Sequence, residues 1–180
     1  MTQLDLTIAG LGGQGSILAG VILGSAAVTY DGKFAVQTQA YSSELRGGFA
    51  ATWVIISDKP IVFPRVTRPD ILVAQAQDSI SRFAATLKPE GSLIIDADMV
   101  HRIPQDVRSI YEVHATTAAH QRLKAPLTAN MIMLGALCRV TGIVSREALE
   151  KAISAASPQG KDRLNLEAFD FGFEAIATSR

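Results

Sequence analysis

The sequence holds one cysteine, Cys138, among 180 residues. A single thiol closes no internal disulfide and supplies too few ligands for an iron–sulfur cluster or a structural zinc. An excess of charge is missing too. Seventeen basic residues balance 17 acidic ones, so the chain lacks the basic field that nucleic-acid binding needs. No run reaches the roughly 18 apolar residues of a membrane span, and Met1-Thr2-Gln3-Leu4-Asp5 shows no basic leader before an apolar stretch. The expected compartment is the cytoplasm. Catalytic motifs are also lacking: there is no Gly-x-Ser-x-Gly elbow, no His-Glu-x-x-His pair and no paired-cysteine ligand set. His101, His114 and His120 are scattered, without metal-like spacing, and read as surface or capping residues.

What is present is an apolar share of 48% with only 19% charged residues. That charged share is below the usual quarter and points to a second buried surface. Short apolar runs alternate with helix-like segments, which predicts an α/β domain. Strands are expected at Leu4–Gly10, Phe34–Tyr41, Phe49–Ile56, Asp70–Ala74, Ser92–Asp96 and, more weakly, Val107–Val113. Helices are expected at Ser16–Val28, at Ser79–Leu87, and from Pro126 to Thr141, where Gly142 supplies a stop. Ser145 is the expected cap of a helix carrying Leu149, Ala152 and Ile153, and Asn165 that of a last helix with Phe169, Phe173 and Ile176. With no linker visible, residues 1–180 read as one Rossmann-like three-layer domain. Its sheet is expected to be largely parallel or mixed, and its C-terminal third helical.

Gly10-Leu11-Gly12-Gly13-Gln14-Gly15-Ser16 lies between the first strand and the first helix. Such a turn allows close backbone approach, and free amides at a helix start suit a phosphate or carboxylate. The run satisfies the Gly-x-Gly-x-x-Gly dinucleotide fingerprint literally, but the acid expected after the second strand is missing, since Thr38-Gln39-Ala40-Tyr41 stands there. Anion binding and plain strand–helix packing are equally consistent with the turn. Glu44-Leu45-Arg46-Gly47-Gly48 offers a guanidinium for a two-pronged anion clamp, or a wide hairpin turn with a solvated arginine.

The helix from Pro126 is apolar nearly all round: Leu127, Met131, Ile132, Met133, Leu134, Leu137 and Val140 share it. It belongs in the centre of the domain or at an interface with a second chain. Together with zero net charge, it leads to the expectation that the isolated chain self-associates as a symmetric homodimer.

The Gly-x-Gly-Gly-Gln-Gly turn, then Glu44-x-Arg46-Gly47-Gly48, then Ser57-Asp58-x-Pro60-Ile61 resemble, in order and spacing, the gamma subunit of 2-oxoacid:ferredoxin (acceptor) oxidoreductases. Pro69-Asp70-Ile71-Leu72-Val73-Ala74, Ala129-Asn130-Met131 and Asn165 with Ala168-Phe169 agree, so the resemblance covers practically the whole chain. It implies a subunit of a complex that decarboxylates a 2-oxoacid to an acyl-CoA. Thiamine diphosphate, magnesium and iron–sulfur clusters would be held by partner subunits of alpha, beta and delta type, and ferredoxin would take the electrons. Carried onto this sequence, it makes Gly12, Gly13, Gln14 and Gly15 contacts for coenzyme A or a neighbouring subunit, followed by Arg46 and Gly47. The size of the chain is most like the 2-oxoglutarate members. Pyruvate, branched-chain oxoacid and indolepyruvate enzymes share the motifs, and Tyr41-Ser42-Ser43 departs from the family's usual loop.

Overall fold

The structure is a computed structural model that describes residues 3–42 and 48–178. Seven strands form one mixed sheet: β1 (Gln3–Leu11), β2 (Phe34–Tyr41), β3 (Phe49–Ser57), β4 (Ile71–Ala74), β5 (Ser92–Asp96), β6 (Ser109–Val113) and β7 (Ala177–Thr178), in the order β2-β3-β1-β4-β5-β6-β7. The strands β1, β4, β5 and β6 run parallel, while β2–β3, β3–β1 and β6–β7 are antiparallel. Helices α1 (Ser16–Thr29), α2 (Gln77–Phe83), α3 (Ala115–Thr117, continued by a π turn Ala118–Arg122), α4 (Ala129–Thr141), α5 (Arg146–Ala156) and α6 (Asp162–Glu174) complete the chain.

Because strand side chains alternate between faces, the sheet feeds two cores. Leu6, Ile8, Val54, Ile56, Val73 and Ile94 face α1, α4, α5 and α6. Ala51, Leu72, Ala74, Leu93 and Ile95 face Ile80 of α2 and the segment carrying Val100 and Val107. Three layers result, as expected.

Helix α4 takes the central position rather than an exposed one, with Asn130 through Cys138 all buried. It crosses α6 at backbone contact distance. A β-carbon at Gly135 would press on the Phe169 carbonyl oxygen, and one at Gly172 on the Ile132 carbonyl oxygen. Leu127, counted with this helix in the sequence, instead lies in a 3-10 turn (Pro126–Thr128) and is 85% exposed.

The remaining differences are local. Asn165 is no cap: α6 starts one turn earlier, after a Pro158–Lys161 turn, and Asn165 Nδ2 donates to Ser157 Oγ at 2.8 Å, pinning the end of α5. The helix expected at Ser79–Leu87 begins at Gln77, tightens to a 3-10 turn over Ala84–Thr86 and ends where Leu87 turns extended at ψ 143°. Ser145 caps α5 as expected, accepting from the Ala148 amide, and Gly142 ends α4 at φ 56°. Among the described residues no helix is long and apolar enough to cross a membrane.

Candidate functional site

In open α/β sheets ligands sit beyond the carboxyl ends of the parallel strands, where the strand order reverses. Here that point lies between β1 and β4. The glycine turn follows β1, Gln75 follows β4, and Asp96 ends β5.

The turn is held by its own glutamine. Gln14 Oε1 accepts from the Leu11 amide at 2.6 Å, and Gln14 Nε2 donates to the Gln75 carbonyl at 3.0 Å. The Gly12 amide donates to the Gly48 carbonyl at 2.7 Å. Gly13 (φ 98°) and Gly15 (φ 75°) take the left-handed conformation that favours glycine. At Gly15 a β-carbon would also collide with Asn130, whose Nδ2 donates to the Gly15 carbonyl at 3.3 Å. At Gly13 the space beyond the backbone is open. The Gly12 and Gln14 amides are therefore used within the fold, while those of Gly13 and Gly15 have no acceptor among the described residues.

A crevice of about 180 Å³ opens beside this turn, its lining including Gly13, Gln14, Gln75, Asp96, Thr116 and His120 together with Leu127 and Ala129. Asp96 is 2% exposed. Its Oδ2 accepts from the Thr116 hydroxyl at 2.6 Å and the Thr116 amide at 3.1 Å, and its Oδ1 from the Asp98 amide at 3.2 Å. Burial nevertheless pushes its carboxyl above the usual range, because desolvation outweighs those bonds. Beside it, burial would also raise Asp98, but the Thr117 amide and His114 outweigh that and hold it low. His114 is raised by its 2.7 Å hydrogen bond to Asp98. The crevice thus sets the glycine turn at a helix start beside a buried, hydrogen-bonded carboxyl. It suits recognition of an anionic ligand with hydroxyl or amide donors.

The topology also explains the missing acid of the dinucleotide fingerprint. The strand β2, which follows α1 in sequence, lies at the sheet's edge, two places from β1. The parallel neighbour of β1 is β4, and it is followed by Gln75, whose Oε1 accepts from the Ser16 hydroxyl at 2.5 Å. No ribose-binding acid stands in the fingerprint's place.

The pyruvate ferredoxin/flavodoxin oxidoreductase family matches this chain over residues 5–175. The chain belongs to that family. As a member, it is 46% identical over 172 residues to the 2-oxoglutarate synthase subunit KorC of Methanocaldococcus jannaschii, covering 94% of this chain and 92% of the relative. It is 30% identical over 159 residues to the common gamma subunit of the pyruvate/ketoisovalerate oxidoreductases of Pyrococcus furiosus, covering 84% and 85%. The crystal structure of the keto/oxoacid ferredoxin oxidoreductase gamma subunit from Geobacter sulfurreducens superposes with a TM-score of 0.88 at 39% identity, covering 97% of each chain. The resemblance carried by the ordered motifs is borne out.

Of the residues the sequence singled out, Gly13 and Gln14 line the crevice, while Gly12 and Gly15 shape the turn behind it. Arg46 and Gly47 lie outside the described residues. Sequence reasoning missed Gln75, Asp96 and Thr116. Each follows or ends a strand, or sits just beyond one, and only the parallel register of β1, β4, β5 and β6 brings them to one crevice. His120, read as a surface histidine, is exposed yet lines the same crevice.

Proposed function

We propose that this chain is the gamma subunit of a 2-oxoglutarate:ferredoxin oxidoreductase, in which 2-oxoglutarate and coenzyme A give succinyl-CoA and carbon dioxide. The two electrons released pass to ferredoxin. The observation that carries this reading is the 46% identity to a 2-oxoglutarate synthase subunit across nearly the full length of both chains. The second class of relative, the pyruvate/ketoisovalerate gamma subunits, matches at only 30%.

Within the complex this chain is the non-redox part. Among the described residues no group of three or more His, Cys, Asp or Glu side chains is placed to hold a metal, and the one cysteine cannot ligate a cluster. In our reading thiamine diphosphate, magnesium and the iron–sulfur clusters belong to the alpha-, beta- and delta-type partners, and thiamine would supply the decarboxylation chemistry there. The complex works in the cytoplasm. In our reading the glycine turn faces coenzyme A or a partner subunit. The amides of Gly13 and Gly15, at the start of the 14-residue α1, meet a phosphate or carboxylate with the positive end of the helix behind them. Gln14 holds the turn in shape, Arg46 adds a guanidinium for the same kind of anion, and Gly47 lets it approach. Asp96 accepts a donor from the ligand's uncharged part.

The test is reconstitution. The partner subunits, co-purified with and without this chain, are assayed for coenzyme A-dependent reduction of ferredoxin. The expected result is turnover that requires this chain, with kcat/KM for 2-oxoglutarate above that for pyruvate. Turnover that is unchanged without the chain removes the subunit assignment, and a preference for pyruvate removes the substrate assignment.

A further inference from the structure

Helix α1 carries no charged residue from Ser16 to Thr29, although only part of its circumference packs on its own chain. Ala19, Ile22, Leu23 and Ala26 are buried in the core. Leu18, Val21 and Val28 are 46%, 45% and 51% exposed, and their spacing along the helix sets them in one outward stripe. That outer face, which Ser25 shares, is uncharged and mostly apolar, whereas this chain encloses only the inner side of the helix.

The stripe continues onto β2, the end strand of the sheet. A methyl group at Gly24 would come to 3.9 Å from Ala35 Cβ, so no α1 side chain separates helix from strand there. By strand alternation Tyr41 shares the α1-facing side of β2 with Ala35, whereas Phe34 stands on the opposite face; they are 68% and 45% exposed. Edge strands are ordinarily guarded by lysine, proline or an inward charge, and Phe34–Tyr41 has none of these. The antiparallel register with β3, together with the Ser42 amide donating to the Phe49 carbonyl, turns alternate amides toward β3. Those of Ala35, Gln37, Gln39 and Tyr41 then point outward from the sheet.

We propose that α1 and β2 form the contact surface for a second copy of this chain. The two β2 strands pair antiparallel about a twofold axis, and the two α1 stripes meet on one face of the joined sheet. A twofold axis sets each element against its own copy, so any charge near it meets a like charge. Ser16–Tyr30 and Phe34–Ser42 contain no charge at all, which makes the surface self-compatible. An exposed strand edge is completed by the same strand running the other way, and that axis delivers it. The sequence left α4 either central in the domain or shared with a second chain. With α4 enclosed by its own chain, the unburied apolar surface lies on α1 and β2.

Sedimentation equilibrium of the full chain alone tests this. The expected mass is twice 19.2 kDa. Val21→Glu places a carboxylate in the stripe of each copy, and Gln39→Pro deletes an outward amide without removing a bond to β3. Each shifts the mass to that of one chain while far-UV circular dichroism stays unchanged. Leu127→Glu, at an exposed position before α4, leaves the pair intact. Should one variant fail to fold, the other decides. A single-chain mass for the unaltered protein at its highest soluble concentration overturns the proposal, as does a pair that survives both substitutions. A single-chain mass combined with loss of partner-subunit capture by Val21→Glu also overturns it, and assigns the face to another subunit. The measurement needs no oxoacid turnover, so it stands or falls separately from the proposed activity.

Discussion

The Ser16 hydroxyl donates to Gln75 Oε1 at 2.5 Å, tying the first residue of α1 to the residue that follows β4. Gln75 Nε2 also donates to the Gln14 carbonyl at 3.3 Å, and the Gln75 side chain is out of reach of bulk water, at 2% exposure. Removing it strands buried polar partners. Gln75→Ala should therefore destabilise the isolated chain by about 1–3 kcal/mol. Since Ser16 shares the bond, Ser16→Ala introduced into Gln75→Ala should add little, a non-additivity that a double-mutant cycle by thermal melting reads directly.

The pair of His114 and Asp98 gives the fold a pH dependence of known sign. His114 is raised above its ordinary value of 6.5, first through its bond to Asp98. Its contribution is fully present below about pH 6.5 and is lost as pH rises through the folded value. Asp98 is held below 3.8 once the Thr117 amide and His114 have outweighed burial, so its share is present above that value and lost as pH falls through the folded one. The His114 side chain is 70% exposed, which keeps the effect small. Melting temperatures of the wild type and His114→Gln should differ more at about pH 5.5 than at about pH 8.5. A constant difference across that range would contradict the pairing.

Which parts of this protein were legible depends on how local their causes are. The first strand, its turn and α1 follow from an apolar run, three glycines and a helical pattern within about 25 residues, and the Ser145 cap and Gly142 stop are equally local. The crevice is not local. Asp96 reaches the glycine turn because Ala9 pairs with Ala74 and Ala74 with Ile95 across parallel strands, a register that no neighbouring residue announces. The helix that brings Thr116 to Asp96 is short, begins with Ala115-Thr116-Thr117 and shows no periodic stripe. The same non-locality governs the two apolar helices. An all-apolar pattern marks both α1 and α4, and only the packing tells which of them is enclosed.

Cys138 provides a check on that packing. It is 5% exposed, its thiol faces the Val144 carbonyl at 3.7 Å, and burial pushes its pKa up to about 11. Thiolate is then scarce at neutral pH and access is closed. Native protein should resist iodoacetamide, whereas denatured protein should be modified fully at one site, a contrast that intact mass measurement resolves. Rapid modification of the native chain would mean that the α4 core opens far more readily than its burial implies.

The glycine turn separates binding from packing at Gly13. Its φ of 98° strains any side chain placed there, yet a β-carbon would meet nothing within 4 Å. Gly13→Ala and Gly13→Asp each carry a backbone cost of about 1–3 kcal/mol, somewhat less for aspartate, which tolerates positive φ better than alanine, and they differ chiefly in charge. If the amides of Gly13 and Gly15 receive a phosphate or carboxylate, the aspartate places a negative charge where that anion belongs. The reconstituted complex should then show a higher KM for coenzyme A, or weaker assembly, with Gly13→Asp than with Gly13→Ala. The gap should narrow as salt screens the repulsion. If the turn serves only to pack strand on helix, the two variants should lose similar stability and leave coenzyme A dependence alike. Similar melting temperatures with unequal coenzyme A dependence are the expected result, because a β-carbon at Gly13 meets nothing within 4 Å.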